Sequence, residues 1–288
     1  MDAAQPSRSI ETVRIDSHRR VAYAEYGDPA GRAVLFFHGT PGSHRLGRLF
    51  VDAARRHGVR LLAPDRPGYG DSSPWPERDL TDTGAFVAPV LDDAGVDRAG
   101  VVGFSGGGPH ALALAATHGD RVTSVDIVAG ATPPSAPPPT PPAQRLLCRL
   151  ASTTPRLLSG FLSTGAWLAI HVSPAVVTAQ YTDATDRAAL PDEVATVVAR
   201  DFADAVTASG RGTITELRLL ASPWDLPLAA VDHPVRLRHG VRDANVPIDG
   251  ARALRDRLPD ARLTAVDDAD HLTSLLRSRE SVVARHAE

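Results

Sequence analysis

In the first 130 residues of this 288-residue chain, short apolar runs alternate with segments whose apolar positions recur every three or four residues. The runs "AVLFFHG" (33–39), "VRLLAPD" (59–65), "RAGVVGFS" (98–105) and "VTSVDIVAG" (122–130) are nearly continuous in apolar character. That pattern predicts strands buried on both faces of a parallel sheet. Between them, "LGRLFVDAARRHG" (46–58), "DTGAFVAPVLDDAG" (82–95) and Pro109–His118 have helical spacing, and Gly58 offers the first of these a C-terminal stop. Upstream, "SIETVRID" and "RRVAYAEYG" read as an antiparallel pair.

The alternation stops at "ATPPSAPPPTPP" (131–142), where stacked prolines favour an extended segment. Helical patterns then dominate, clearest in "PRLLSGFLSTGAWLAIHV" (155–172) and "PDEVATVVARDFADAVTASG" (191–210), each opened by a proline. Strand character returns at "PVRLRHG" (234–240) and "ARLTAVDD" (261–268). The expected architecture is α/β: a mostly parallel central sheet with helices on both faces. Residues 1–131 and 233–288 form its core, and residues 132–232 form a helical insert.

Composition narrows the chemistry. A net charge of −3 gives no basic field for nucleic acid, and 5% aromatics leaves little for base stacking. All 31 basic residues are arginine, which excludes a Schiff-base lysine and a P-loop lysine. Cys148 is the one cysteine, set in a helix-like apolar stretch, and reads as a packed small residue. No His/Cys/Asp grouping has metal-ligand spacing, so neither metal nor cofactor is expected. With no signal-peptide pattern and no membrane-length apolar run, a cytoplasmic protein free of membrane partners is the expectation.

The stretch "VVGFSGGGPHALALAA" puts Ser105 where a buried strand breaks into a helix. Gly103–Gly107 fits G-x-S-x-G, a turn on which small neighbours let a serine stand exposed as a nucleophile. "FFHGTPGSHR" also follows a buried strand, and an acyl-transfer site needs two backbone N–H donors aimed at the developing oxyanion. Thr40 and Gly106 are the candidates, with His38 supporting the loop. Downstream, Asp243 and His271 each fall just past a strand, where open α/β sheets keep their sites. Asp267, Asp268 and Asp270 crowd His271 but are too close in sequence to orient it, and Asp126 falls mid-strand. In "DRPGYGDS", Asp65 and Arg66 are expected to fix a turn through a carboxylate–guanidinium clamp. His44 and His110 flank the site and read as exposed histidines.

These residues resemble the α/β-hydrolase fold in type, order and position. The resemblance covers nearly the whole chain and makes the insert the counterpart of that family's variable cap. It implies a serine hydrolase in which Ser105 attacks a carbonyl, His271 carries the proton and Asp243 orients the imidazole. The substrate implied is a small, largely apolar ester, lactone or thioester. Phe161, Trp167 and Tyr181 of the insert are candidate acyl contacts, and Trp224 reads as ordinary packing. A proline-iminopeptidase-like aminopeptidase is the alternative; it needs insert carboxylates, such as Asp183, Asp186, Asp192, Glu193 or Glu216, to hold an ammonium group. Two further alternatives are a cofactor-free lyase, cyclase or acyl-transfer enzyme and a non-catalytic binding protein.

Overall fold

A computed structural model describes residues 10–136, 141–160, 174–207 and 210–288. Eight strands form one sheet: β1 (Glu11–Arg14), β2 (Arg20–Gly27), β3 (Arg32–Phe37), β4 (Val59–Pro64), β5 (Ala99–Phe104), β6 (Val122–Val128), β7 (Val235–Gly240) and β8 (Ala261–Val266). Their spatial order is β1-β2-β4-β3-β5-β6-β7-β8. β2 runs antiparallel to both its neighbours, and every pairing from β4 to β8 is parallel.

The continuous apolar runs are the strands buried on both faces. Along β3, Leu35 and Phe37 enter one core with Val101 and Ile127, whereas Val34 and Phe36 enter the other with Val102 and Val128. This is the two-residue period of a strand, here with both faces covered. Helices α2 (Thr83–Asp93) and α3 (Gly108–Thr117) cover the first face through Phe86, Val90, Leu91 and Leu112. Helix α1 (Val51–Arg56) and the C-terminal helix His271–Ala287 cover the second through Ala53, Ala54, Leu275 and Val282. Each large side chain buried in this way stabilises the fold by about 1.5–3 kcal/mol.

The helix expected over 46–58 starts as a 3-10 turn, His44–Phe50, before α1 begins. Its early N–H groups take side-chain acceptors: Arg45 N–H donates to Ser43 Oγ, and Leu46 N–H donates to Asp201 as well as to the Ser43 carbonyl.

Between β6 and β7 the described chain is helical: α4 (Pro142–Thr153), α5 (Pro174–Thr178), α6 (Ala184–Ala188), α7 (Asp192–Thr207) and α8 (Arg211–Ala221). The helix expected over 155–172 lies mostly outside the described residues. This segment has a small core of its own, in which Cys148 and Ala151 of α4 meet Ile214 and Leu217 of α8. Burial pushes the Cys148 thiol up, away from reactivity. Helix α9 (Ile248–Arg255) follows β7, and α10 is the C-terminal helix His271–Ala287. Among the described residues, no helix is long and apolar enough to cross a membrane.

Candidate active site

The site lies at the C-terminal ends of parallel strands. Ser105 directly follows β5, Asp243 lies beyond β7, His271 opens α10 beyond β8, and Thr40 lies beyond β3. Ser105 has a φ of +52°, a left-handed conformation that a non-glycine residue adopts only under constraint. The constraint is close packing. A Cβ on Gly107 would stand 2.2 Å from the Phe37 carbonyl, and one on Gly106 would stand 2.2 Å from Thr40 Oγ1. The glycines therefore seat the turn directly against the β3 loop.

His271 Nδ1–H donates to Asp243 Oδ2 at 2.7 Å, which leaves Nε2 to accept from Ser105 Oγ at 2.9 Å. The remaining Asp243 oxygen accepts the Asn245 and Val246 N–H groups, both at 2.9 Å. Burial pushes the Asp243 carboxyl up, but the adjacent His271 and His239 imidazoles outweigh burial and hold it well below the carboxylate range. His239 stands 3.4 Å from Asp243 Oδ2 and donates to the Val246 carbonyl at 2.7 Å, which locks the Asp243 loop. The sequence reading missed His239, although a histidine at the end of a buried strand and four residues before a candidate acid is a readable signal.

The rival acids are engaged elsewhere. Asp270 caps α10 by accepting Thr273 N–H and also accepts Thr182 Oγ1–H at 2.6 Å. Asp126 is fully buried against Arg285 and His286. Asp183, Asp186 and Asp270 are grouped closely enough to hold a metal ion, but Arg242 is already paired with Asp183 and Asp186.

Behind Thr40 lies a buried charge cluster that the sequence reading did not assemble. Asp65 and Arg66 do not pair with each other as expected. Asp65 accepts from the His44 backbone N–H at 2.7 Å and from its Nδ1 at 2.9 Å. Burial pulls the His44 pKa down, but Asp65 outweighs this and raises it overall. The Arg66 guanidinium instead holds three groups of the β3 loop: the His38 carbonyl, the Gly39 carbonyl at 3.1 Å and Thr40 Oγ1 at 2.9 Å. Its charge is met by Glu216 of α8 at 3.2 Å, and Glu216 also pairs with Arg78 and with His110 Nε2 at 3.1 Å. All four side chains have no solvent exposure, and His44 is buried as well, so neither His110 nor His44 is the exposed histidine expected. Burial pushes the Glu216 carboxyl up, but Arg66, His110 and Arg78 hold it well below its ordinary range. Burial lowers the His110 pKa to about 4, so that ring is neutral near pH 7. The signal for this cluster is Glu216 itself, a charge on a helix stretch in which Gly212–Leu217 are all buried.

Ser105, Gly106, Thr40 and His271 open into a cavity of about 610 Å³. The rest of its described lining is apolar or uncharged, including Leu147, Val177, Phe202, Val206, Leu217 and Leu220. Tyr181 lies in this wall, its ring stacked at 19° to the His271 ring with centroids 6.5 Å apart. Phe161 and Trp167 fall outside the described residues. Trp224 is buried in the sheet-side core, away from this cavity.

Residues 32–278 match the model of the alpha/beta hydrolase fold family, and the chain belongs to that family. It is a hydrolase by that membership and by its relatives. A pimeloyl-[acyl-carrier protein] methyl ester esterase of Aromatoleum aromaticum is 30% identical over 227 residues, 78% of this chain and 86% of that protein. A 2-hydroxy-6-oxononadienedioate/2-hydroxy-6-oxononatrienedioate hydrolase of Burkholderia vietnamiensis is 34% identical, over only 44% of this chain and 45% of its own length. Among solved structures, the bromoperoxidase of Bacillus anthracis superposes with a TM-score of 0.73 at 19% identity, covering 96% of this chain and 97% of that one. That last likeness is one of fold.

Proposed function

We propose that this protein hydrolyses a small, largely apolar carboxylic ester, lactone or thioester through an acyl-enzyme on Ser105. The observation that carries this reading is the Ser105–His271–Asp243 relay opening into a cavity whose described lining holds no Asp, Glu or Arg. His271 takes the Ser105 proton as Oγ attacks the carbonyl, then gives it to the departing alcohol or thiol. Water repeats the sequence to release the acid. Asp243 keeps the imidazole in the tautomer that accepts from serine and stabilises its charged form. The N–H groups of Thr40 and Gly106 hold the oxyanion, and loss of one such donor costs roughly 10²–10³-fold in rate. The helical segment at 132–232 acts as the cap, with Tyr181 closing over His271. The relative whose name specifies a methyl ester supports an ester as the substrate bond.

An aminopeptidase needs a carboxylate facing the substrate amine. No Asp or Glu lines the cavity among the described residues, and Glu216 is neutralised by arginines behind it. A chain-length panel of p-nitrophenyl esters, run beside proline-p-nitroanilide, tests the reading. Ester turnover is expected to be lost in Ser105→Ala and His271→Ala, with no turnover of the anilide. Anilide turnover, or alanine variants at full ester rate, would overturn it.

A further inference from the structure

A second compartment of about 360 Å³ adjoins the apolar cavity and shares Ala131, Pro141, Gln144, Leu220, Asn245 and Val246 with its wall. The shared wall begins close to the reacting residue, since Ala131 N–H donates to the Ser105 carbonyl at 2.8 Å. Helix α4 stands between the two spaces. It turns Ala143 and Leu147 toward the Ser105 side, and Arg145, Cys148, Arg149 and Ser152 toward the other. The second set is spaced i, i+3, i+4 and i+7, one stripe of a helix.

The stripe is charged and unbalanced. No Asp or Glu lines either compartment among the described residues. Some arginines of this protein are met by acids, as in Arg45–Asp204, Arg60–Glu25 and Arg242–Asp183, and others are not. The Arg145 and Arg149 guanidinium groups have no such partner among the described residues. A concave space lined by charge of one sign concentrates the opposite charge, and guanidinium groups bind carboxylate and phosphate through paired hydrogen bonds.

We propose that this compartment is a subsite for an anionic group, a carboxylate or phosphate, carried by the substrate at the end remote from the scissile bond. One substrate then spans both spaces, with its apolar limb in the larger and its charged limb against Arg145 and Arg149. The assignment rests on the serine-ester reading above and narrows its substrate class.

The test compares kcat/KM for four esters: 4-nitrophenyl hexanoate, mono-4-nitrophenyl adipate, 3-carboxy-4-nitrophenyl hexanoate and 4-nitrophenyl 6-phosphonooxyhexanoate. Each is run on the wild type, Arg145→Ala/Arg149→Ala and Arg145→Glu/Arg149→Glu. Both positions are exposed, so the variants are expected to fold. At low salt at least one anionic ester should exceed the neutral one by roughly ten-fold, an advantage that shrinks as salt is raised. The double alanine variant should remove the advantage and the double glutamate variant reverse it, with the neutral ester unchanged in all three. The favoured ester shows which limb carries the charge and whether it is carboxylate or phosphate. Preference for the neutral ester, or an anion preference that survives both variants, would overturn the subsite. Calorimetric binding of hexyl phosphate and of adipate, lost in the double variants, reads the subsite without turnover. Failure of the ester chemistry is therefore separable from failure of the subsite.

Discussion

The floor and the roof of the site are built on opposite terms, and helix α8 belongs to both. On the floor, charged groups are buried only where each meets a partner: Asp243 with His271, Asp65 with His44, and Glu216 with Arg66 and Arg78. On the roof, α8 turns Thr213, Leu217 and Leu220 to a cavity whose described lining holds no Asp, Glu or Arg, while Glu216 of the same helix enters the floor. A paired buried charge holds geometry, because removing one partner strands the other in a low-dielectric interior. An apolar wall holds shape and little else. Floor substitutions should therefore change chemistry or folding, and roof substitutions should change substrate preference.

The largest effect expected within this comparison is at Asp243. Asp243→Asn keeps the size of the side chain but reverses the tautomer that His271 prefers, and kcat should fall roughly 10³–10⁴-fold with KM little changed. A steady-state comparison at saturating ester checks this. Glu216→Gln comes next and acts on the fold. It leaves Arg66 and Arg78 with an uncompensated buried charge, and a stability loss of about 3–5 kcal/mol by urea unfolding is expected. If stability is unchanged, the cluster is not the anchor described.

On the roof, Phe202→Ala enlarges the cavity. The kcat/KM ratio for hexanoyl over acetyl esters should rise by roughly three- to ten-fold with kcat for acetyl esters retained. A fall in kcat across all chain lengths would place Phe202 on the floor. The smallest effect is a dependence on pH at Asp201 of α7, which accepts Ser43 N–H and Oγ–H, each at 2.8 Å. Burial raises its pKa from 3.8 to about 7. An acid raised on folding binds more protons folded than unfolded, so its contribution falls as pH rises from about 4 to about 7. Asp201→Asn should therefore gain in melting temperature relative to the wild type between pH 5 and pH 8. A constant difference across that range would contradict the assignment.

The sheet was legible because a strand buried on both faces leaves a continuous apolar run, as in "AVLFFHG" and "VRLLAPD". Ser105 was legible as a position because it stands directly beyond such a run, and Asp243 and His271 because each falls shortly after a less apolar strand-like stretch, Val235–Gly240 and Ala261–Val266. The charge cluster was not, because its members come from four separate places in the chain, Arg66, Arg78, His110 and Glu216. Local pattern favours the nearest partner, which is why Asp65 and Arg66 read as a pair although each is claimed by a distant residue. The insert was legible as helical but not in its contacts. Tyr181 stacks on His271 through tertiary packing that no periodicity encodes.

The proposed role of His271 and Asp243 is to make Ser105 a nucleophile. Reaction with a fluorophosphonate, followed by mass spectrometry of the peptide containing Ser105, tests it most directly. One stoichiometric adduct on Ser105 is expected, absent in Ser105→Ala and slowed at least about a thousand-fold in His271→Ala. A wild-type protein that stays unlabelled, or carries its adduct on another residue, would contradict it.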